Sequence, residues 1–189
     1  MSNLIQSKVA LLQRIISEVP EIRYAGDPIL RQKVSDTSVE EGGRISKQLA
    51  KVLLKYRDVT GFGRGLAAPQ IGEKASVFIT YIDDVIETFI NPKITEFSQD
   101  KNYYKELCMS AGILAADVER PVWIVIEWTD LDGKSHSQKF EGFKARLLQH
   151  EEAHLRGRLN LDDACVGGIE FAIFDPLKEK LRTSRQDQE

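Results

Sequence analysis

Apolar residues fall at Ile5, Val9, Leu12, Ile16 and Val19, three or four positions apart, and this spacing predicts an amphipathic N-terminal helix. Gln6, Lys8, Gln13 and Arg14 interrupt the stripe, so the segment is not the continuous apolar core of a signal peptide. Gly26-Asp27-Pro28 marks a turn, after which Val39 to Tyr56 resumes helical spacing, with Ile45, Leu49, Val52 and Leu53 on one side and an expected end near Gly61. Between Gly61 and Gly142 the pattern changes. SVFITYI (76–82), ETFINPKI (87–94) and PVWIVIEWTDLDGKSHSQKFEG (121–142) are rich in β-branched and aromatic residues and predict strands, with Asp132-Gly133 as a hairpin turn. From Phe143 to Leu155 helical spacing returns. The order helix, helix, strands, helix predicts an α+β fold: antiparallel or mixed sheets packed around one buried central helix, with a further helix at the N-terminus.

Composition narrows this picture. A chain of 189 residues, 42% of them hydrophobic, supports one core and one domain over residues 1–189, and the polar stretch 183–189 is expected to fray. A net charge of −3 offers no global attraction to nucleic acid or anionic lipid, so neither nucleic-acid specificity nor a membrane partner is expected. The longest apolar run, VWIVI at 122–126, suits a strand and is far too short to span a bilayer. Two cysteines, Cys108 and Cys165, are too few for a disulfide scaffold, and a cytoplasmic location with free or metal-bound thiols is expected.

Candidate chemistry is concentrated in LLQHEEAHLRG, residues 147–157. On a helix, His150 and His154 project side by side and can face one ion, while Glu151 lies beside that ion as a base for water. The bland alternative is a solvated helix face. A catalytic zinc-type site normally takes a third protein ligand. The metzincin pattern continues to Gly157 but meets Asn160 where its third histidine belongs, and no methionine follows. Spacing leaves Glu170 open as a third ligand, but Cys108 in KELCMSAG, a segment between strands, is the better candidate, with a small buried hydrophobe as the alternative reading of that cysteine. His136, in the hairpin, is expected to face solvent, and Cys165 to be structural.

Three separated segments, GRGLAAPQIG (63–72), ELCMS (106–110) and QHEEAHLRG (149–157), resemble in order and approximate spacing the three motifs of peptide deformylases, G-x-G-x-A-A-x-Q, E-G-C-x-S and Q-H-E-x-D-H. GDPILRQKV (26–34) is similar to that family's early segment, so the likeness runs from about Tyr24 to Asp163. The resemblance implies that Cys108, His150 and His154 hold one divalent ion, Fe2+ or Zn2+, with Ni2+ or Co2+ in other members. It implies that Glu151 is the general base, that the Gln70 amide and the Met109 backbone N–H are the oxyanion donors, and that N-formylmethionyl peptides, the ends of nascent chains, are the substrates. Gly63, Gly65, Leu66 and Leu107 would line the substrate site, and Arg120 would pair with Glu106 to hold the Cys108 loop, unless that pair is an ordinary surface salt bridge. Arg146, Arg156 and Arg158 could form a basic patch for a transient ribosome contact, a solvated face being the simpler expectation.

Two positions depart from the pattern. Leu107 replaces the glycine before the cysteine, and Ala153 replaces the aspartate before the second histidine. A glycine position can require φ > 0 or close approach, and the aspartate can orient a ligand from behind. Three expectations follow: a working deformylase, a hydrolase of the same fold acting on another N-acyl or N-formyl substrate, or a weakly active relative that binds.

Overall fold

The computed structural model describes residues 2–175 and 178–185. Three helices are α1 (Ser2–Glu18), α2 (Val39–Thr60) and α3 (Gly142–Leu155), and eight strands are β1 (Gly65–Ala67), β2 (Val77–Ile82), β3 (Val85–Phe97), β4 (Lys101–Leu107), β5 (Leu114–Pro121), β6 (Trp123–Thr129), β7 (Ser135–Glu141) and β8 (Ala164–Phe171). The strands form a five-stranded sheet in the order β1-β2-β3-β6-β7 and a three-stranded sheet in the order β4-β5-β8, every pairing of named strands antiparallel. The expected α+β architecture around a central helix is what the chain adopts.

α2 shows why its ends fall where they do. Ser38 accepts a hydrogen bond from the Glu41 N–H at 3.2 Å, Glu40 and Glu41 sit at the positive end of the helix dipole, and Gly61 closes the helix at φ 78°. Ile45, Leu49, Val52 and Leu53 face inward as their spacing predicts and pack with Leu66, Val77 and Ile79. The hairpin β6–β7 turns through Gly133 at φ 80°, as Asp132-Gly133 implies.

α1 is a correction in register. Val19 of the expected stripe is buried and Leu12 half-buried, but Val9 and Ile16 are exposed, and Leu11 and Ile15 turn inward instead. The sequence carries two overlapping apolar stripes one residue apart, and contact with α2 selects the second. The expected frayed tail lies partly outside the described residues; within them, Arg185 sits 3.4 Å from Asp117 and Arg182 exchanges backbone hydrogen bonds with Tyr103.

α3 touches strands of both sheets. Ala145, Leu148 and Leu155 pack with Phe78, Phe89, Ile124, Ile126 and Phe140. Yet Arg146, Gln149, His150, Glu151 and His154 are buried as well. So many polar groups withdrawn from water are tolerable only if each meets a partner or a ligand.

Candidate metal centre and cleft

β4 and the short 3-10 turn that follows it (Met109–Ala111) bring Cys108 against α3. The Cys108 thiol and the two α3 imidazoles form a buried trio whose ligand atoms all lie within 4.8 Å of one another, with Cys108 Sγ 3.4 Å from His154 Nε2. Ligands at metal distances of about 2.0–2.3 Å in a tetrahedron lie roughly 3.3–3.8 Å apart, so this spacing fits one ion.

The ring orientations agree. His150 Nδ1 donates to Glu106 Oε2 at 2.9 Å, and His154 Nδ1 donates to the Arg158 carbonyl at 3.0 Å. Nδ1 of each ring is thus engaged by an outer partner, which leaves Nε2 as the atom available to an ion, as in metal-ligating histidines. Burial opposes a charge on His150, but Cys108 and Glu106 hold it well above the usual histidine range. Burial and the neighbouring His150 push His154 well below the usual histidine range, toward the neutral, ligating form.

Glu106 anchors the arrangement. Its Oε1 accepts from Arg120 Nε and Arg146 Nη1, both at 2.7 Å, and its Oε2 from Arg120 Nη2 at 2.8 Å. Burial alone would raise its pKa, but the Arg120 guanidinium holds the carboxyl well below the usual range. This is a buried fork, not a surface salt bridge. Arg120 also meets Asp163 at 3.3 Å.

Gln70 is oriented by its own loop. The Ala67 N–H donates to Oε1 at 2.8 Å, which turns Nε2 toward Cys108 Sγ at 3.6 Å and Ser110 Oγ at 3.2 Å. Glu151 is buried, its Oε2 has no hydrogen-bond partner among the described residues, and burial lifts its pKa to about 7. Gly65 makes room for it: a Cβ there would lie 2.7 Å from Glu151 Cδ.

A cleft of about 180 Å³ opens on these groups. Gly63, Gly65, Gln70, Glu106, Leu107, Cys108, Met109, His150 and Glu151 all line it, and His154 is not among the lining residues. Leu66 does not reach the cleft; its side chain is fully buried in the core. Leu107 is the last residue of β4, paired with Ala115, and has no positive φ, so a side chain costs the backbone nothing there.

Other candidates separate from the site. Glu170 pairs with Lys105 at 2.8 Å on the outer strand β8 and is no third ligand. His136 is half-buried instead of solvent-facing, stacked on Trp128 at 4.9 Å and bonded to Asp130. The three-arginine patch does not form: Arg146 is buried on Glu106, while Arg156 and Arg158 pair with Glu152 and Asp163.

The profile of the polypeptide deformylase family matches residues 19–165. The chain belongs to that family. It is 38% identical over 146 residues to the peptide deformylase of Dictyoglomus thermophilum, covering 77% of this chain and 93% of that one. It is 35% identical over 168 residues to that of Pseudothermotoga lettingae, covering 89% and 95%. Among solved structures, the peptide deformylase of Thermotoga maritima superposes with a TM-score of 0.68 at 30% identity, covering 76% of this chain and 96% of that one. The chain is therefore a hydrolase of the deformylase class, an enzyme that removes formyl groups.

Three residues of the site are not marked as such by the sequence. Arg146 resembles any surface arginine until Glu106 is placed beside it. Ser110, fully buried, accepts from Gln70, and Asn160 Nδ2 donates to the Glu106 carbonyl at 2.9 Å. Asn160 attracted notice only as a failed third histidine.

Proposed function

We propose that the chain hydrolyses the N-formyl group of N-formylmethionyl peptides, the ends of nascent chains in the cytoplasm, releasing formate and a free amine, with Cys108, His150 and His154 holding one Fe2+ or Zn2+ ion. The observation that carries this reading is the trio of ligand atoms within 4.8 Å, with Glu151 and Gln70 lining the same cleft. A thiolate with two imidazoles is a donor set that suits either metal.

Held there, the ion would supply Lewis acidity, lowering the pKa of a water and polarising the formyl carbonyl. Glu151, whose carboxylate lines the cleft and has no protein hydrogen-bond partner on its buried Oε2, takes the proton of the attacking water. As the formyl carbon becomes tetrahedral, negative charge grows on its oxygen. The Gln70 amide, aimed by Ala67 and Ser110, and the Met109 backbone N–H donate to it. Glu151 then returns the proton to the departing nitrogen, the C–N bond breaks, and formate and amine separate.

Substrate placement follows from topology. β1 and β4 are edge strands of different sheets, and residues of both line the cleft, so an extended peptide can add to a free edge. Leu107 stands in this path and favours a second reading, a different acyl group or first side chain. Formate release from formyl-Met-Ala-Ser, compared with acetate release from acetyl-Met-Ala-Ser, tests both using iron- or zinc-loaded protein. Formate release lost in Glu151→Ala is expected; hydrolysis of the acetyl peptide alone would replace this reading with the second.

A further inference from the structure

Lys8, Leu11, Leu12 and Ile15 of α1 line the same cleft, although α1 lies outside the residues that match the family, 19–165. The helix is seated. Ile15 is buried and Leu11 packs on the cluster that holds Tyr56 and Met109. A Cβ placed at Gly112, just beyond the Cys108 segment, would be 3.5 Å from a Leu12 methyl. α1 is therefore a wall of the cleft, built from residues outside the stretch that the family profile matches.

The wall changes the charge of the cleft. Lys8, Arg64, Lys105 and Arg146 line it against two carboxylates, Glu106 and Glu151. Arg146 is engaged by Glu106 at 2.7 Å and Lys105 by Glu170 at 2.8 Å. The Arg64 guanidinium lies 4.6 Å from the centre of the Phe143 ring. Among the described residues, neither Lys8 nor Arg64 has an ion-pair partner. Two cations that face the cleft and have no carboxylate paired with them attract an anionic ligand.

We infer that α1 and Arg64 form a subsite selecting peptides with an acidic side chain among the residues after the formylated methionine. Leu11 and Leu12 provide its apolar wall, and Lys8 with Arg64 its charge. The inference rests on the formyl-peptide reading and deepens it.

The test compares kcat/KM for amide-capped formyl-Met-Ala-Asp and formyl-Met-Ala-Lys, where the only carboxylate is the side chain. The native protein should prefer the acidic peptide by about fivefold, the range of a partly exposed ion pair. The preference should shrink as salt rises. In Lys8→Glu the ratio should fall to about one or invert, whereas Lys51→Glu, on the exposed side of α2, should keep it. An unchanged ratio in Lys8→Glu overturns the subsite. If no formyl peptide is turned over, the reading of the reaction fails. The subsite is then read from calorimetric affinities of the amide-capped products Met-Ala-Asp and Met-Ala-Lys for zinc-loaded protein. The same acid preference supports it, and equal affinities overturn it.

Discussion

Glu106 holds His150 from behind, its Oε2 2.9 Å from the imidazole Nδ1, while both its oxygens are gripped by arginines. A carboxylate 44 residues away in sequence thereby orients an imidazole on α3. The carboxylate joins three cationic or donor groups, so its charge is needed twice, to orient the ring and to compensate Arg120 and Arg146. Glu106→Gln leaves two buried guanidiniums poorly compensated. Breaking buried pairs in this way costs about 3–5 kcal/mol. Urea denaturation of the variant should show a loss of that order. Arg146→Met should lose less, because Glu106 keeps the Arg120 fork. An equal loss in both would mean the two arginines act as one inseparable unit.

Cys108 supplies the only sulfur of the buried trio. Cys108→Ala leaves two imidazoles, one short of the usual protein set for a catalytic ion. Metal content measured after dialysis should fall from about one ion per chain to well below it. Full metal stoichiometry in the variant would remove Cys108 from the ligand set.

Gly65 and Glu151 occupy almost the same space. A methyl group at position 65 would press on the Glu151 carboxylate, 2.7 Å from its Cδ, and its three nearest atoms all belong to Glu151. Gly65→Ala should therefore lower kcat on formyl-Met-Ala-Ser by about 100-fold, comparable to losing a positioned general base. Metal content and melting temperature should stay close to native. Glu151→Ala should show the same separation of turnover from metal content, and a Gly65→Ala enzyme with native kcat would show that Glu151 moves freely.

How much of this was legible depends on where each signal resides. H-E-x-x-H could be read directly, because four-residue spacing on a helix is a local geometric fact. Cys108 could be named as a candidate third ligand from its thiol chemistry, but no spacing rule joined it or Gln70 to the helix; the resemblance to a family linked all three. β5 escaped notice since Leu114–Pro121 contains Ala115, Ala116 and Asp117, poor strand formers; the chain is extended there because β4 and β8 flank it. Arg146 was assigned to a solvated face since arginine is rarely buried without a partner, and its partner is 40 residues away. The register of α1 was misread because both Ile15 and Ile16 are apolar, and only packing decides between them.

Leu107 is where the family pattern and this structure differ most directly. The glycine expected there is not demanded by the backbone, for Leu107 ends β4 in ordinary strand pairing with Ala115 and lies outside the positive-φ residues. What leucine changes is the cleft, which its side chain lines beside Cys108. Leu107→Gly should cost about 0.5–1 kcal/mol of stability through added backbone freedom. It should also raise kcat/KM on formyl-Met-Ala-Ser, chiefly by lowering KM, because space is opened without touching Glu151 or Gln70. A thermal melt and a steady-state titration separate the two effects. A fall in kcat/KM greater than the stability loss explains would show that the leucine grips the substrate, and the peptide series should then be widened at its first side chain.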